Sequence, residues 1–194
     1  VVVVPQYMKE VVAEITGLAR RSGDINQRSG VSVRVSISNY ESIISNAYKR
    51  SLLTGETKAV PRLSDLPAIL PTTMGKIEFE SAEDGLEEKI LTDLTRKAVL
   101  NVFERYFTVD ELEGVIESFQ EGVVVETGGY RPSVDYAAVV SEIESLGRPI
   151  KQLDSDKSNE AIAAAVEYVL EGLHLKRRLN KDVADGTHRY IGQV

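Results

Sequence analysis

Arg34 is the side chain of this sequence best placed to do chemistry. It ends the run Ser29-Gly30-Val31-Ser32-Val33-Arg34, where a small, flexible pair leads into an apolar segment carrying one guanidinium. The start of a helix favours anions through its free N–H groups and its dipole, so an arginine there can be aimed at a phosphate. Its planar, permanently charged fork would stabilise charge on a transferring phosphoryl group. Gly30 supplies the lead-in, and Arg28 is a subsidiary candidate for the same anion. The competing reading is a surface arginine laid over its own helix.

The remaining candidates point elsewhere. Arg62, between Pro61 and Asp65, either approaches a phosphate or pairs with Asp65 at helical spacing. The pairing is the expectation, worth only ~0–1 kcal/mol if exposed. Glu171 and His174 have the i, i+3 spacing by which helical bundles present metal ligands, and Glu167 lies one turn earlier. Such sites need a second Glu-x-x-His, and the only other histidine, His188, lies in a Gly-containing tail without one. A helical ion pair or a half-buried histidine is expected instead, and no metal site. Neither histidine has both a nucleophile and an orienting acid, so a hydrolase triad is not indicated. Gly128-Gly129 reads as a turn, because no strand, loop and helix with a following lysine surround it.

Composition narrows the class. The chain has 194 residues, 42% hydrophobic and 27% charged, with no cysteine and a net charge of −7. The length suits one domain or two small helical ones. Without cysteine there is no disulfide framework or thiolate chemistry, which fits a cytoplasmic protein without requiring one. The acidic balance argues against broad nucleic-acid binding. No run approaches the ~18 apolar residues of a membrane span. The opening Val1-Val2-Val3-Val4-Pro5, with no initiator methionine, suggests a fragment. A basic cluster of Lys176, Arg177, Arg178 and Lys181 reads as a solvated helix end complementing the dipole.

The elements that would carry these residues are mainly helices. Tyr7, Val11, Ile15 and Leu18 recur at helical spacing from Gln6 to about Arg21. From Val31 to Ile37 the alternation is strand-like, but Val33, Ile37, Tyr40, Ile44, Ala47 and Tyr48 continue a 3.6-residue stripe toward Leu52. One long helix ending at Thr54-Gly55 is predicted, with that stripe as its apolar face. Ser64-Asp65-Leu66-Pro67 starts a short helical piece. Leu86, Ile90, Leu94, Ala98, Val102 and Tyr106 mark the clearest helix. Thr108 and Glu111 form a capping box for a helix from about Val109 to Gln120. Ser133 begins another, running to about Leu146 and stopped by Gly147-Arg148-Pro149. Ser158 caps the last, and after Asn180 the tail is expected to be loose. Val123–Glu126 is the one strand candidate, expected to be an extended connector for want of a visible partner. The fold class is therefore mainly α, with at most a short β segment near 123–126. A boundary near Ser81–Asp84 would divide residues 1–80 from 81–194, and packing into one body is equally compatible.

The stretches RSGVSVRVSISNYE, AVPRLSDL, GKIEFE and VEYVLEGLHLKRRLN resemble the C-terminal part of magnesium-chelatase-like AAA+ ATPases. The resemblance spans nearly the whole chain. It implies that residues 1–80 are an AAA+ lid whose sensor 2 arginine, facing the terminal phosphate of ATP, is Arg34, with 81–194 a C-terminal helical region. It further implies a parent ATPase using ATP and Mg²⁺, a homo-oligomeric ring, and a partner bearing a von Willebrand factor A domain. The sequence departs from a whole member of that group: no Gly-rich loop ending in Gly-Lys-Ser/Thr occurs, and no strand ends in paired acids. ATP hydrolysis by this chain alone is therefore not expected. The alternative is a freestanding helical interaction module with no nucleotide role.

Overall fold

The computed structural model describes residues 1–28, 30–80, 85–154 and 156–193. Eight α-helices carry most of these residues: α1 (Gln6–Ala19), α2 (Val33–Thr54), α3 (Ile69–Met74), α4 (Leu86–Tyr106), α5 (Glu113–Gln120), α6 (Tyr136–Glu142), α7 (Gly147–Leu153) and α8 (Asn159–Leu175). Three short strands, β1 (Val125–Gly128), β2 (Leu179–Ala184) and β3 (Thr187–Gly192), form an antiparallel sheet in the order β1-β3-β2. The protein is mainly α with one small sheet.

Helix boundaries follow local chemistry where a cap or a glycine sets them. Ser32 accepts a hydrogen bond from the Arg34 N–H at 3.2 Å and starts α2, and Gly55 ends it in the left-handed region at φ +70. Ser158 does the same for α8, accepting from the Ala161 N–H. α1 buries Tyr7, Val11, Ile15 and Leu18, as its spacing predicts. Glu111 reaches back to accept from the Thr108 N–H at 2.8 Å, but a 3-10 turn at Asp110–Leu112 precedes α5.

Five expectations are corrected. The long helix α2 buries only part of its predicted stripe: Val33, Ile37 and Tyr48 are exposed, Tyr40 and Ile44 are half-buried and Ala47 is buried, while Val35, Asn39, Ile43, Arg50 and Ser51, all outside the stripe, are buried. Two of the buried polar residues find partners that a periodicity count does not see: Asn39 Oδ1 accepts from the Thr73 hydroxyl at 2.7 Å, and Arg50 pairs with Asp65 and Glu56. The helix expected from Ser133 to Leu146 is broken into a 3-10 turn, α6 and a second 3-10 turn. Gly147-Arg148-Pro149 then opens α7 rather than ending a helix, because proline is tolerated in a first turn. The tail beyond Asn180 is not loose but forms the β2–β3 hairpin. Its turn is Asp185-Gly186 with φ of +49 and +76, the two positive values a two-residue hairpin turn of the right twist needs. That hairpin supplies the missing partner for the 123–126 segment: Val125 pairs with Tyr190, and Gly128 with Thr187.

One core cluster draws on both halves of the chain. Tyr7, Val11 and Ile15 of α1 are buried with Ala98, Val102 and Phe103 of α4 and with Val166, Tyr168 and Leu173 of α8. The Tyr7 and Tyr168 rings lie 4.4 Å apart. A smaller cluster of Ala19, Ile25, Val31, Val35 and Ile77 lies beneath the segment leading to α2. The expected boundary at Ser81–Asp84 lies outside the described residues. No helix among the described residues is long and apolar enough to cross a membrane.

Candidate functional site

Arg34 occupies the second position of α2 and is exposed. Its backbone N–H is taken by Ser32, and its guanidinium makes no hydrogen bond or ion pair among the described residues. Gly30 adopts φ +68 in open space, a backbone turn that favours glycine. Ser29, the other half of the lead-in, lies outside the described residues. Arg28 is exposed in the preceding turn, where its N–H donates to Asn26 Oδ1 at 2.9 Å. No hydrogen bond or ion pair among the described residues joins Arg28 to Arg34.

The helix face around Arg34 is unusual for a surface. At about 100° per residue, Val33, Arg34, Ile37, Tyr48 and Leu52 fall on the side opposite the buried Val35, Asn39, Ile43 and Arg50. Val33 is 60% exposed, Ile37 53%, Tyr48 51% and Leu52 67%, so an apolar strip about five turns long, interrupted by the exposed Glu41 and Ser45, runs from beside Arg34 toward the end of the helix.

Arg62 is not available to a phosphate. It is fully buried and donates to Glu56 Oε1 at 2.6 Å and to the Arg131 carbonyl at 2.9 Å. Nor does its side chain pair with Asp65; its backbone N–H donates to Asp65 Oδ2 at 2.8 Å instead. Asp65 is claimed by Arg50, whose guanidinium reaches it at 2.9 Å and Glu56 at 2.9 Å. Two arginines and two acids are thus buried together, beside Glu167, which accepts from the Tyr136 hydroxyl at 2.7 Å and the Ser64 N–H at 3.0 Å. Burial and the neighbouring Glu167 charge push the Tyr136 phenol far up. Glu56 belongs to this network and carried no sequence signal beyond its place in a turn. Asn46 could not have been chosen from sequence either; it donates to Asp65 Oδ1 at 2.8 Å from the flank of α2.

Glu171 and His174 are committed to structure. Glu171 accepts from Lys181 Nζ at 2.7 and 2.9 Å and from the Tyr190 hydroxyl at 2.6 Å. Burial alone would raise its carboxyl, but the Lys181 charge and these bonds outweigh it and hold it below its ordinary value. His174 donates from Nδ1 to the Leu179 carbonyl at 3.1 Å. His188 sits on β3, its imidazole pushed down first by burial and then by the Lys181 charge. No group of three or more metal-ligating side chains occurs among the described residues. Lys181 therefore leaves the basic cluster for the interior, and Lys176 donates to Glu104 at 2.6 Å. Gly128-Gly129 closes β1 in a turn, where the Arg131 N–H donates to the Gly128 carbonyl at 3.1 Å.

For a nucleotide, these residues fit one kind of contact: an exposed arginine at the start of a long helix, free to meet an oxyanion presented from outside. Comparison with known proteins found no matching family model, no matching curated relative and no matching solved structure.

Proposed function

We propose that this chain is the lid and C-terminal helical portion of a magnesium-chelatase-type AAA+ ATPase, and that Arg34 senses the terminal phosphate of ATP. The single observation that carries the reading is the placing of Arg34. It is exposed and unpartnered among the described residues at the N-terminal end of a 22-residue helix, on the same side as an apolar strip. A cation beside an apolar strip suits a surface that closes over a phosphate held by another body. In this reading the rest of the parent protein cradles ATP and holds Mg²⁺, and the parent works as a cytoplasmic homo-oligomeric ring. A partner with a von Willebrand factor A domain belongs to the same reading.

The test is made in the assembled ATPase. Arg34→Ala slows hydrolysis at least ~10-fold, which corresponds to about 1.4 kcal/mol of barrier. Arg34→Lys rescues poorly, because a point charge does not reproduce the bidentate fork. Rings mixing Arg34→Ala subunits with phosphate-loop-dead subunits recover part of the activity if the arginine acts across the subunit boundary. An Arg34→Ala protein that assembles and hydrolyses ATP at the normal rate sinks the assignment.

The apolar strip also favours a second reading, a helical interaction module without a nucleotide role. Ile37→Glu, with Arg34 untouched, separates the two. Loss of partner binding in a protein whose full gene encodes no phosphate-binding loop selects the module.

A further inference from the structure

A cavity of about 130 Å³ lies between the turn at Leu63–Ala68, α4, α8 and the sheet. Its apolar lining comes from Leu63, Leu66, Leu70 and Val99. Its polar lining includes Glu167 and Glu171, one turn apart on α8, with Lys181, His188 and Tyr190 from the sheet. A cavity of roughly 150 Å³ admits benzene, so this one has room for about six heavy atoms.

The two carboxylates differ in how their charge is met. Glu171 is matched by Lys181 at 2.7 and 2.9 Å. Glu167 is buried, yet its hydrogen-bond donors are neutral, the Tyr136 hydroxyl and the Ser64 N–H. Its nearest cation is Arg62 at 4.0 Å, and that guanidinium donates to Glu56 and the Arg131 carbonyl instead. Arg96 also lines the cavity, but it is largely exposed and sits 3.9 Å from Asp93. A buried carboxylate without a bonded cation favours a positive ligand, and the aliphatic lining favours methylene groups.

We propose that this cavity binds a primary ammonium ion on a short aliphatic chain, its head group on Glu167 and its methylenes against Leu63, Leu66, Leu70 and Val99. The ammonium comes either from a free alkylamine or from a lysine side chain. The site shares no residue with the Arg34 surface, so its success or failure is independent of the nucleotide reading.

The chain has only two histidines, which makes His188 a clean probe of the cavity by imidazole NMR. Pentylammonium, pentanol and pentanoate are titrated separately into the 194-residue protein. The expected result is a saturable shift at His188 and at the methyls of Leu70 and Val99 with pentylammonium. Pentanol should bind at least tenfold more weakly, and pentanoate not at all. Leu70→Trp, which fills the cavity, should abolish the response with the circular dichroism spectrum unchanged. Glu167→Gln should weaken binding at least tenfold. Should that variant not fold, the comparison of pentylammonium with pentanol decides the same point. A capped lysine binding at least as tightly as pentylammonium identifies the lysine source; binding of pentylammonium alone identifies the free amine. Pentanol as tight as pentylammonium, no saturation by any probe, or binding that survives Leu70→Trp overturns the proposal.

Discussion

Replacing Arg62 with methionine tests whether the buried charge network holds the turn at Leu63–Ala68 in place. Methionine keeps much of the stem volume while removing the guanidinium. The variant loses the 2.6 Å bond to Glu56 and the 2.9 Å bond to the Arg131 carbonyl, together with the stacking over the Tyr136 ring at 5.2 Å. Glu56 is not orphaned, since Arg50 at 2.9 Å and the Ser133 N–H at 2.9 Å still reach it. The Arg131 carbonyl loses its donor outright, at a cost of about 1–3 kcal/mol. Removing one partner of a buried ion pair costs about 3–5 kcal/mol. The losses overlap, so the expected total is also about 3–5 kcal/mol. For a chain of this length that lowers the melting temperature by about 6–20 °C. Urea unfolding followed by circular dichroism at 222 nm measures it. The double variant Arg62→Met/Glu56→Gln should recover more than about 1 kcal/mol relative to the sum of the single changes, because Glu56 and Asp65 no longer have to share the single guanidinium of Arg50. A loss below about 1 kcal/mol for Arg62→Met, or strict additivity in the cycle, would refute the reasoning.

Three further outcomes follow from the packing and the charges. Gly172→Ala should destabilise by about 1–3 kcal/mol, since the new Cβ would stand 2.1 Å from a Phe103 ring carbon in the core. The helix-propensity gain of at most about 1 kcal/mol does not offset this, whereas Gly147→Ala, with nothing within 4 Å, should be close to neutral by the same denaturation assay. Arg177→Gly should stabilise by about 0.5–1 kcal/mol in thermal melts, because Arg177 holds φ +58 after α8, where its side chain is exposed. Glu171, held below its ordinary value of 4.5, adds stability that is fully present above that pH and lost as pH falls through its depressed value. The stability gap between the unmodified protein and Lys181→Met should therefore be widest above about pH 4.5 and narrow below it, read from urea midpoints across pH.

Local chemistry alone determined much of the fold. Ser32 and Ser158 start helices and Gly55 ends one, because each satisfies or relaxes a helix end using residues within one turn. The spacing of Tyr7, Val11, Ile15 and Leu18 was enough to orient α1, since every apolar residue on that face is buried. Arg34 was placed at a helix start by its neighbours, and its exposure follows from that position. The hairpin at Asp185-Gly186 was also written locally. An Asp-Gly pair between strand-like segments is a strong turn signal, and a polar tail hid it.

Only the tertiary structure decided which face of α2 is inside. Hydrophobic periodicity chose Val33, Ile37, Tyr40, Ile44, Ala47 and Tyr48; of these Ala47 is buried and Tyr40 and Ile44 are half-buried, but the rest of the inner face went to Asn39, Arg50 and Ser51 beside Val35 and Ile43. Ser51 is met within its own helix by the Tyr48 carbonyl, but Arg50 and the Asn39 carbonyl oxygen are met only once Asp65, Glu56 and Thr73 arrive from other segments. The same holds for Glu167, whose donors Tyr136 and Ser64 lie 31 and 103 positions away in the chain. A sequence displays the charge of such residues at once, but burial depends on partners brought by distant elements. Periodicity reads one helix at a time, and the fate of a buried charge is settled between helices.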